Sequence, residues 1–235
     1  MTPEDVCASL ARPHKPPPPA LGELPPDKTD DILANISASY FMLRRGMALL
    51  AFALPVILWI GGGLEGSLSA YYHADGGRMR DVFVGALWAI GTFLFLYRGY
   101  STAEDRALNG AGLLAVVVAL APMNWPRHEV ETVTGAVHYA AAVGFFLAIA
   151  YVCLFRAGDT LRLMRDTDRA ARFRATYRLL GALMVLLPPA VWAIHRLLPP
   201  RQEPIALFFV EAAGVYVFAA FWTVKSREIA VLERQ

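Results

Sequence analysis

The chain has 235 residues, of which 56% are hydrophobic and 18% are charged, and its net charge is +2 at neutral pH. Soluble domains carry roughly 25% charged residues, so this composition and the mean hydropathy of +0.41 argue against an ordinary soluble domain. Only two cysteines are present, Cys7 and Cys153, so neither a disulfide framework nor a thiolate metal site is expected.

The N-terminal end is rich in proline. Residues 1–28 hold eight of the 16 prolines, which predicts an extended, disordered cytoplasmic tail. In residues 29–45, Ile32, Ile36 and Tyr40 recur at helical spacing. This spacing predicts an interfacial amphipathic helix that leads into the first membrane span.

Six apolar runs follow, and each is about as long as the roughly 20 residues that cross a bilayer core. None alternates with a period of two, as the strands of an outer-membrane barrel would. None has the charged face of a soluble helix. We therefore predict an all-α polytopic membrane protein, a bundle of six transmembrane helices within residues 46–224. The runs are 46–63, 82–100, 108–124, 134–155, 178–198 and 205–224.

The arginines predict the orientation of the bundle. The link 156–178 alone contains seven of them, whereas the connections on the other side of the membrane hold five in total. Links rich in Lys and Arg stay in the cytoplasm. Both termini are therefore predicted to be cytoplasmic, with residues 225–235 as a cytoplasmic tail and residues 64–81 outside. The short loops favour a bacterial inner membrane, that is, a multi-pass plasma-membrane protein.

The same basic link bears on the partners of the protein. We expect it to be solvated and to touch anionic lipid head groups. It lacks the interleaved aromatic residues that stack on bases, so no nucleic-acid partner is expected. Membrane lipids, and other membrane proteins, are the expected partners.

Polar residues gather on the outer side in this topology. The first outer loop contains the stretch "GSLSAYYHADGGRMRD", residues 66–81. His138 lies about one turn into the fourth span, and Glu211 about 10 Å down the sixth. A carboxylate inside a span costs about 2.5–3.5 kcal/mol and needs a partner. A Glu211–His138 pair is therefore expected, either as a site or as a bond that sets helix register.

These residues form a candidate catalytic site in an outward-opening pocket. Asp81, His73 and His138 would activate water, with or without a metal, and Asp81 would also cap the second span. Glu211 would orient His138 or act as the base. If a metal is bound, zinc held by His73, Asp81 and His138 is the speculative choice. The full candidate set is Ser67 (or Ser69), His73, Asp81, His138 and Glu211.

Three segments carry a family resemblance, and they are "SLSAYYHADGGRMRDVFVGALWAIGTFLFLYRGY", "VHYAAAVGFFLAIAYVCLF" and "FFVEAAGVYVFAAFW". They resemble a group of uncharacterised bacterial six-span membrane proteins and, more remotely, the DRAM/Frag-like family, which includes a GPI-anchor lipid-remodelling factor. The matching positions are Ser67, Ser69, Arg80, Asp81 and His138. The resemblance covers residues 46–224 and implies work on a lipid or lipid-linked substrate.

A second resemblance is to the alkaline ceramidase and adiponectin-receptor superfamily, whose members are seven-span zinc hydrolases. Ser67, His73 and Asp81 are similar to the first part of that family's ligand set. The paired histidines of its last span are missing here, where Glu211 stands instead.

Three functions remain open from the sequence. The leading hypothesis is a protein that binds, hydrolyses or remodels a lipid at the outer leaflet. The alternative is a non-catalytic accessory or assembly subunit, for which the small-residue faces "GALWAIG" and "HYAAAVG" would supply tight helix contacts. The third is a small transporter, which would need polar residues at full depth, where Asn109, Tyr151 and Thr223 are the candidates.

Overall fold

The computed structural model describes residues 25–74, 76–124, 132–198 and 203–234. Every regular element in these ranges is a helix, and no strand occurs in them. The predicted all-α class is thereby confirmed. The predicted tail lies outside the described residues as far as residue 24.

Six α-helices make up the described part of the fold. They are α1 (Pro26–Gly62), α2 (Arg78–Leu96), α3 (Thr102–Leu120), α4 (Val133–Tyr151), α5 (Thr167–Leu197) and α6 (Glu203–Leu232). A short 3-10 helix, Ser69–His73, precedes α2. A π-helical turn, Val152–Arg156, extends α4, and a second 3-10 helix, Thr160–Leu163, precedes α5.

Five of these helices are long and apolar enough to cross a membrane, judged by length and composition over the described residues. They are α1, α2, α4, α5 and α6. Helix α3 differs because Glu104, Asp105 and Arg106 occupy its beginning. Residues 107–120 remain as its apolar part, which is roughly 20 Å of helix. The protein is therefore a multi-pass membrane protein.

The described chain divides into two units between Ser39 and Tyr40. In the first, residues 26–39 form the beginning of α1, and Ile32 and Ile36 are exposed there. In the second, the remainder of α1 carries further exposed apolar side chains, among them Met42, Leu49 and Ile60. Such a surface suits contact with lipid rather than water.

Two predicted boundaries differ from those of the helices. No break separates residues 29–45 from the first span, because α1 is continuous from Pro26 to Gly62. At the other end, α6 runs to Leu232, so residues 225–232 extend a helix of the bundle instead of forming a separate tail. The reason is visible in the packing, since Lys225, Glu228 and Ile229 are all buried.

Each helix from α2 to α6 packs against the next one along the chain. The core has two buried clusters, one at each end of the bundle. One contains Leu58, Phe83 and Phe208, near the loop that follows α1. The other is built around Trp222, whose ring meets Tyr97 edge-on at 4.9 Å between centroids.

Helices α2 and α3 approach each other at two glycines. A Cβ atom placed on Gly91 would lie 2.7 Å from the carbonyl oxygen of Gly112, and one placed on Gly112 would lie 2.6 Å from that of Gly91. No larger residue fits either position without separating the backbones. The predicted small face "GALWAIG" therefore makes a tight helix contact at its second glycine.

We expect Gly91→Ala to destabilise the bundle. The clash involves backbone, so it should cost about 1–3 kcal/mol, more than the roughly 0.5–1 kcal/mol that alanine gains in a helix. Gly85→Ala is the matched control on the same helix, because a Cβ there meets nothing within 4 Å. Thermal unfolding in detergent should show a lower midpoint for Gly91→Ala alone, and equal midpoints for the two variants would contradict the contact.

Candidate functional site

The polar loop between α1 and α2 begins with a glycine turn. Gly63 has a φ of +78°, and its N–H donates to the carbonyl of Trp59 at 2.9 Å, which ends α1. Tyr71 is fully buried and donates its hydroxyl to the Gly63 carbonyl. Burial raises the pKa of the Tyr71 phenol, which keeps that hydroxyl protonated. The loop is thus held against the end of its own preceding helix.

Ser69 and His138 meet at this end of the bundle. The Nε2 atom of His138 lies 2.9 Å from Ser69 Oγ, and its Nδ1 atom lies 2.7 Å from the Ala121 carbonyl oxygen at the end of α3. A carbonyl oxygen only accepts hydrogen bonds, so Nδ1 carries the proton. In the neutral ring Nε2 then accepts the Ser69 hydroxyl proton. Ser69, rather than Ser67, is therefore the serine paired with a base.

Glu211 holds the loop in place from α6. Its Oε2 atom accepts the backbone N–H of Leu68 at 2.8 Å, directly before Ser69. The expected Glu211–His138 bond does not form, since both ring nitrogens of His138 bond Ala121 and Ser69. The carboxylate therefore positions the chain that carries Ser69.

A cavity of about 460 Å³ opens beside these residues. Ser67, Ser69, His138 and Glu211 all line it. Most of the remaining wall is apolar and comes from all the helices of the bundle, including Leu54, Phe83, Val118, Phe146, Leu187 and Leu207. The size falls within the roughly 300–1,000 Å³ typical of small-molecule sites. The cavity is therefore largely apolar, and Ser67, Ser69, His138 and Glu211 form its polar corner.

Ser67 and His73 attach the loop to the chain that follows α3. The Ser67 hydroxyl donates to the sulfur of Met123 at 3.4 Å and accepts the N–H of Ala70 at 3.1 Å. His73 Nε2 donates to the Met123 carbonyl at 3.0 Å. Ser67 is fully buried, and it lies in the cavity wall, whereas His73 is not among the lining residues. These contacts fit structural roles.

Asp81 stands apart from the cavity. Helix α2 starts at Arg78, and Gly77, whose φ is +71°, is its N-cap residue. Asp81 lies within the first turn, so the prediction that it caps this helix is wrong. The Asp81 side chain is 75% exposed and lies 3.5 Å from Arg80 Nε. His73, Asp81 and His138 therefore do not converge, and no group of three metal-ligating side chains occurs among the described residues. This set does not fit zinc.

Asn124 adds an amide to the polar corner. Its Oδ1 accepts both the N–H of Thr132 at 3.0 Å and the Thr132 hydroxyl at 2.7 Å, which leaves the amide NH₂ as the donor. Asn124 also lines the cavity. A Cβ on Gly135 would lie 1.9 Å from Oδ1, so the start of α4 needs glycine there.

A second polar cluster, at the opposite end of the bundle, was not anticipated. Lys225 and Glu228 are 1% and 0% exposed, and Lys225 Nζ lies 3.1 Å from Glu228 Oε2. Tyr177 and Thr160 both donate their hydroxyls to the Glu228 carboxylate. Lys225 also donates to Thr160 Oγ1 at 2.9 Å and to the Ala157 carbonyl at 3.2 Å. We call these four side chains the buried Lys–Glu cluster.

A sequence signal for this cluster does exist. Phe218, Trp222, Lys225 and Ile229 are spaced as one helix face, and all are buried. Extending this face beyond residue 224 would have placed Lys225 inside. The sequence analysis instead ended the last span before Lys225, because Lys and Arg commonly mark the cytoplasmic ends of membrane helices.

Comparison with known proteins adds no family to this description. No protein-family model, curated protein or solved structure matches the chain.

Proposed function

We propose that the protein binds a lipid or lipid-linked substrate in the apolar cavity and cleaves an ester or amide bond in it, with Ser69 as nucleophile and His138 as general base. The observation that carries this proposal is the chain from Ser69 Oγ to His138 Nε2, 2.9 Å, and from His138 Nδ1 to the Ala121 carbonyl, 2.7 Å. A hydroxyl activated by an oriented imidazole is the arrangement of acyl-transfer enzymes.

The proposed chemistry follows from these contacts. Ser69 Oγ attacks the acyl carbonyl while its proton passes to His138 Nε2, and the Ala121 carbonyl stabilises the resulting imidazolium through Nδ1–H. The C–O or C–N bond then breaks, and His138 returns the proton to the leaving group. Water hydrolyses the acyl-serine by the same proton route. The Asn124 amide, which lines the cavity, is the candidate donor to the oxyanion.

The lining of the cavity supports a lipid as substrate. Its wall is mainly aliphatic and aromatic, and helices able to cross a membrane supply it. An acyl chain can thus enter beside a reactive serine without meeting bulk water. Glu211 supports the site by holding Leu68, next to the nucleophile.

The charge distribution supports an outward-facing site. The arginines of residues 156–178 follow α4, at the end remote from His138. Because basic links tend to stay in the cytoplasm, we infer that the Ser69 end faces the outer leaflet of the plasma membrane. In this arrangement α3 is the sixth span, with its charged first turns at the cytoplasmic surface.

An alkyl fluorophosphonate, which reacts covalently with activated serines, tests the proposal. We expect purified wild-type protein to be labelled on Ser69, as located by peptide mass spectrometry. Ser69→Ala should abolish labelling. Ser67→Ala is the matched control and should retain it, because the Ser67 hydroxyl contacts Met123 and Ala70 rather than a base.

Two results would overturn the proposal. One is an unlabelled wild-type protein that also turns over no lipid ester or amide, which would favour the accessory-subunit alternative. The other is equal labelling of the wild type and Ser69→Ala, which would place the reactive group elsewhere.

A further inference from the structure

A second cavity, of about 300 Å³, lies at the opposite end of the bundle from Ser69. Phe155 and Arg162 belong to its wall, and so do Arg174, Tyr177 and Arg178. Phe155 follows His138 by 17 residues along α4 and its π-helical turn, which corresponds to roughly 25 Å. This arginine pocket is therefore separate from the proposed catalytic site.

Three exposed arginines line the arginine pocket. Arg174 and Arg178 are one turn apart on α5, and Arg162 comes from the 3-10 helix before it. Within the described part of the chain, none of the three forms a hydrogen bond or an ion pair. Unneutralised guanidinium groups in one concave site are the arrangement that binds phosphate, because each offers paired N–H donors.

Two acidic residues of the same link, Asp159 and Asp166, are paired with arginines outside the pocket. Asp159 lies 3.5 Å from Arg156, and Asp166 lies 3.6 Å from Arg169 while also accepting the Arg169 N–H at the start of α5. That N–H lowers the pKa of the Asp166 carboxyl, which keeps it ionised and capping the helix. Neither Asp159 nor Asp166 therefore forms an ion pair with an arginine of the pocket.

The buried tyrosine of the pocket and the exposed apolar side chains in or near it indicate an amphipathic ligand. Tyr177 is 1% exposed and fixed by its bond to Glu228, so the floor is rigid. Phe155, in the wall of the pocket, is 60% exposed. Leu163 and Leu179, next in sequence to Arg162 and Arg178, are 71% and 61% exposed. Exposed apolar side chains close to a phosphate site suit the acyl chains of a lipid.

We propose that the arginine pocket is a specific phosphate site for the head group of an anionic phospholipid. The shared chemistry is a phosphate ester or free phosphate, and the exposed apolar side chains of Phe155, Leu163 and Leu179 favour the lipid. This site is independent of catalysis by Ser69. It also differs from general attraction to a basic surface, because it needs three particular arginines among the seven of the link.

Native mass spectrometry of the detergent-purified full chain tests the site. Phosphatidic acid, phosphatidylcholine with the same acyl chains, and inorganic phosphate are titrated separately. One variant carries Arg162→Gln, Arg174→Gln and Arg178→Gln. Its matched control carries Arg165→Gln, Arg169→Gln and Arg172→Gln, which removes the same charge from the same link at positions outside the cavity wall.

We expect phosphatidic acid to bind the wild type and the control, and to bind the pocket variant about tenfold more weakly or worse. Phosphatidylcholine should bind more weakly than phosphatidic acid. Inorganic phosphate could instead bind as tightly as the lipid and lose its binding only in the pocket variant. That result would support the phosphate site and would identify its ligand as soluble phosphate. Equal losses in both variants, or no binding to the wild type, would overturn the proposal. Circular dichroism checks that both variants remain folded.

Discussion

Lys225→Met should lower the stability of the protein by about 3–5 kcal/mol, because it leaves the Glu228 carboxylate buried without its cation. Glu228→Leu should have a similar effect, since it leaves the ammonium group of Lys225 buried without its carboxylate partner. Both side chains are at most 1% exposed, so water cannot take the place of the lost partner. For a chain of this size the cost corresponds to a fall of about 10 °C in the unfolding midpoint. Thermal unfolding in detergent measures it.

The double variant Lys225→Met with Glu228→Leu should be less harmful than the sum of the single changes, because it removes both charges together. Arg169→Met is the matched control. It also removes the cation of an i,i+3 pair, but the pair with Asp166 is 48% and 44% exposed, so we expect almost no change in the unfolding midpoint.

Milder variants keep this prediction testable if the single changes prevent purification. Tyr177→Phe removes one hydroxyl that donates to Glu228 and should cost about 1–3 kcal/mol. A Lys225→Met or Tyr177→Phe variant as stable as the wild type would show that the buried Lys–Glu cluster does not support the bundle.

If the protein has the proposed hydrolase activity, Ser69→Ala and His138→Ala should each reduce lipid hydrolysis by about a thousandfold, and combining them should reduce it no further. A positioned base contributes about 10²–10⁴-fold, and groups that act as one unit are not additive. Initial rates on fluorescent ester- and amide-linked lipids in mixed micelles measure the effect. Multiplicative losses in the double variant would mean that the two residues act separately.

Glu211→Gln is the control that separates positioning from base catalysis. The amide oxygen of glutamine can still accept the N–H of Leu68, which Glu211 now bonds at 2.8 Å, although the carboxylate is gone. We expect Glu211→Gln to keep most of the activity and Glu211→Leu to lose it. A loss in Glu211→Gln as large as that in His138→Ala would make Glu211 the base instead.

The helices themselves were largely predictable. Apolar runs of membrane-spanning length report the local environment of each segment, and five of the observed helices meet that criterion. The ends of the apolar runs did not predict the residues at which the helices begin and end. Backbone hydrogen bonding continues through polar residues as long as packing supports it, as α6 does through Lys225 and Glu228.

The candidate site was predictable as a region but not as a set of contacts. His138, Glu211 and the serine loop were expected at one end of the bundle, from their depth in the predicted spans, and they do line one cavity. The contacts between individual atoms could not be predicted. Ser69 and His138 are 69 positions apart in the sequence, and their 2.9 Å contact depends on how α4 packs beside the loop after α1.

The sequence by itself determined that the protein is a helical membrane protein with polar chemistry concentrated in a loop and on two helices, because apolar length and charge are properties of short segments. Only the tertiary structure decided that Ser69 rather than Ser67 contacts His138. It also decided that Asp81 lies away from the cavity and that Lys225 forms a buried ion pair with Glu228. The physical reason is that hydrogen bonds and ion pairs require contact within about 3–4 Å, and such contacts follow from the packing of helices that are distant in sequence.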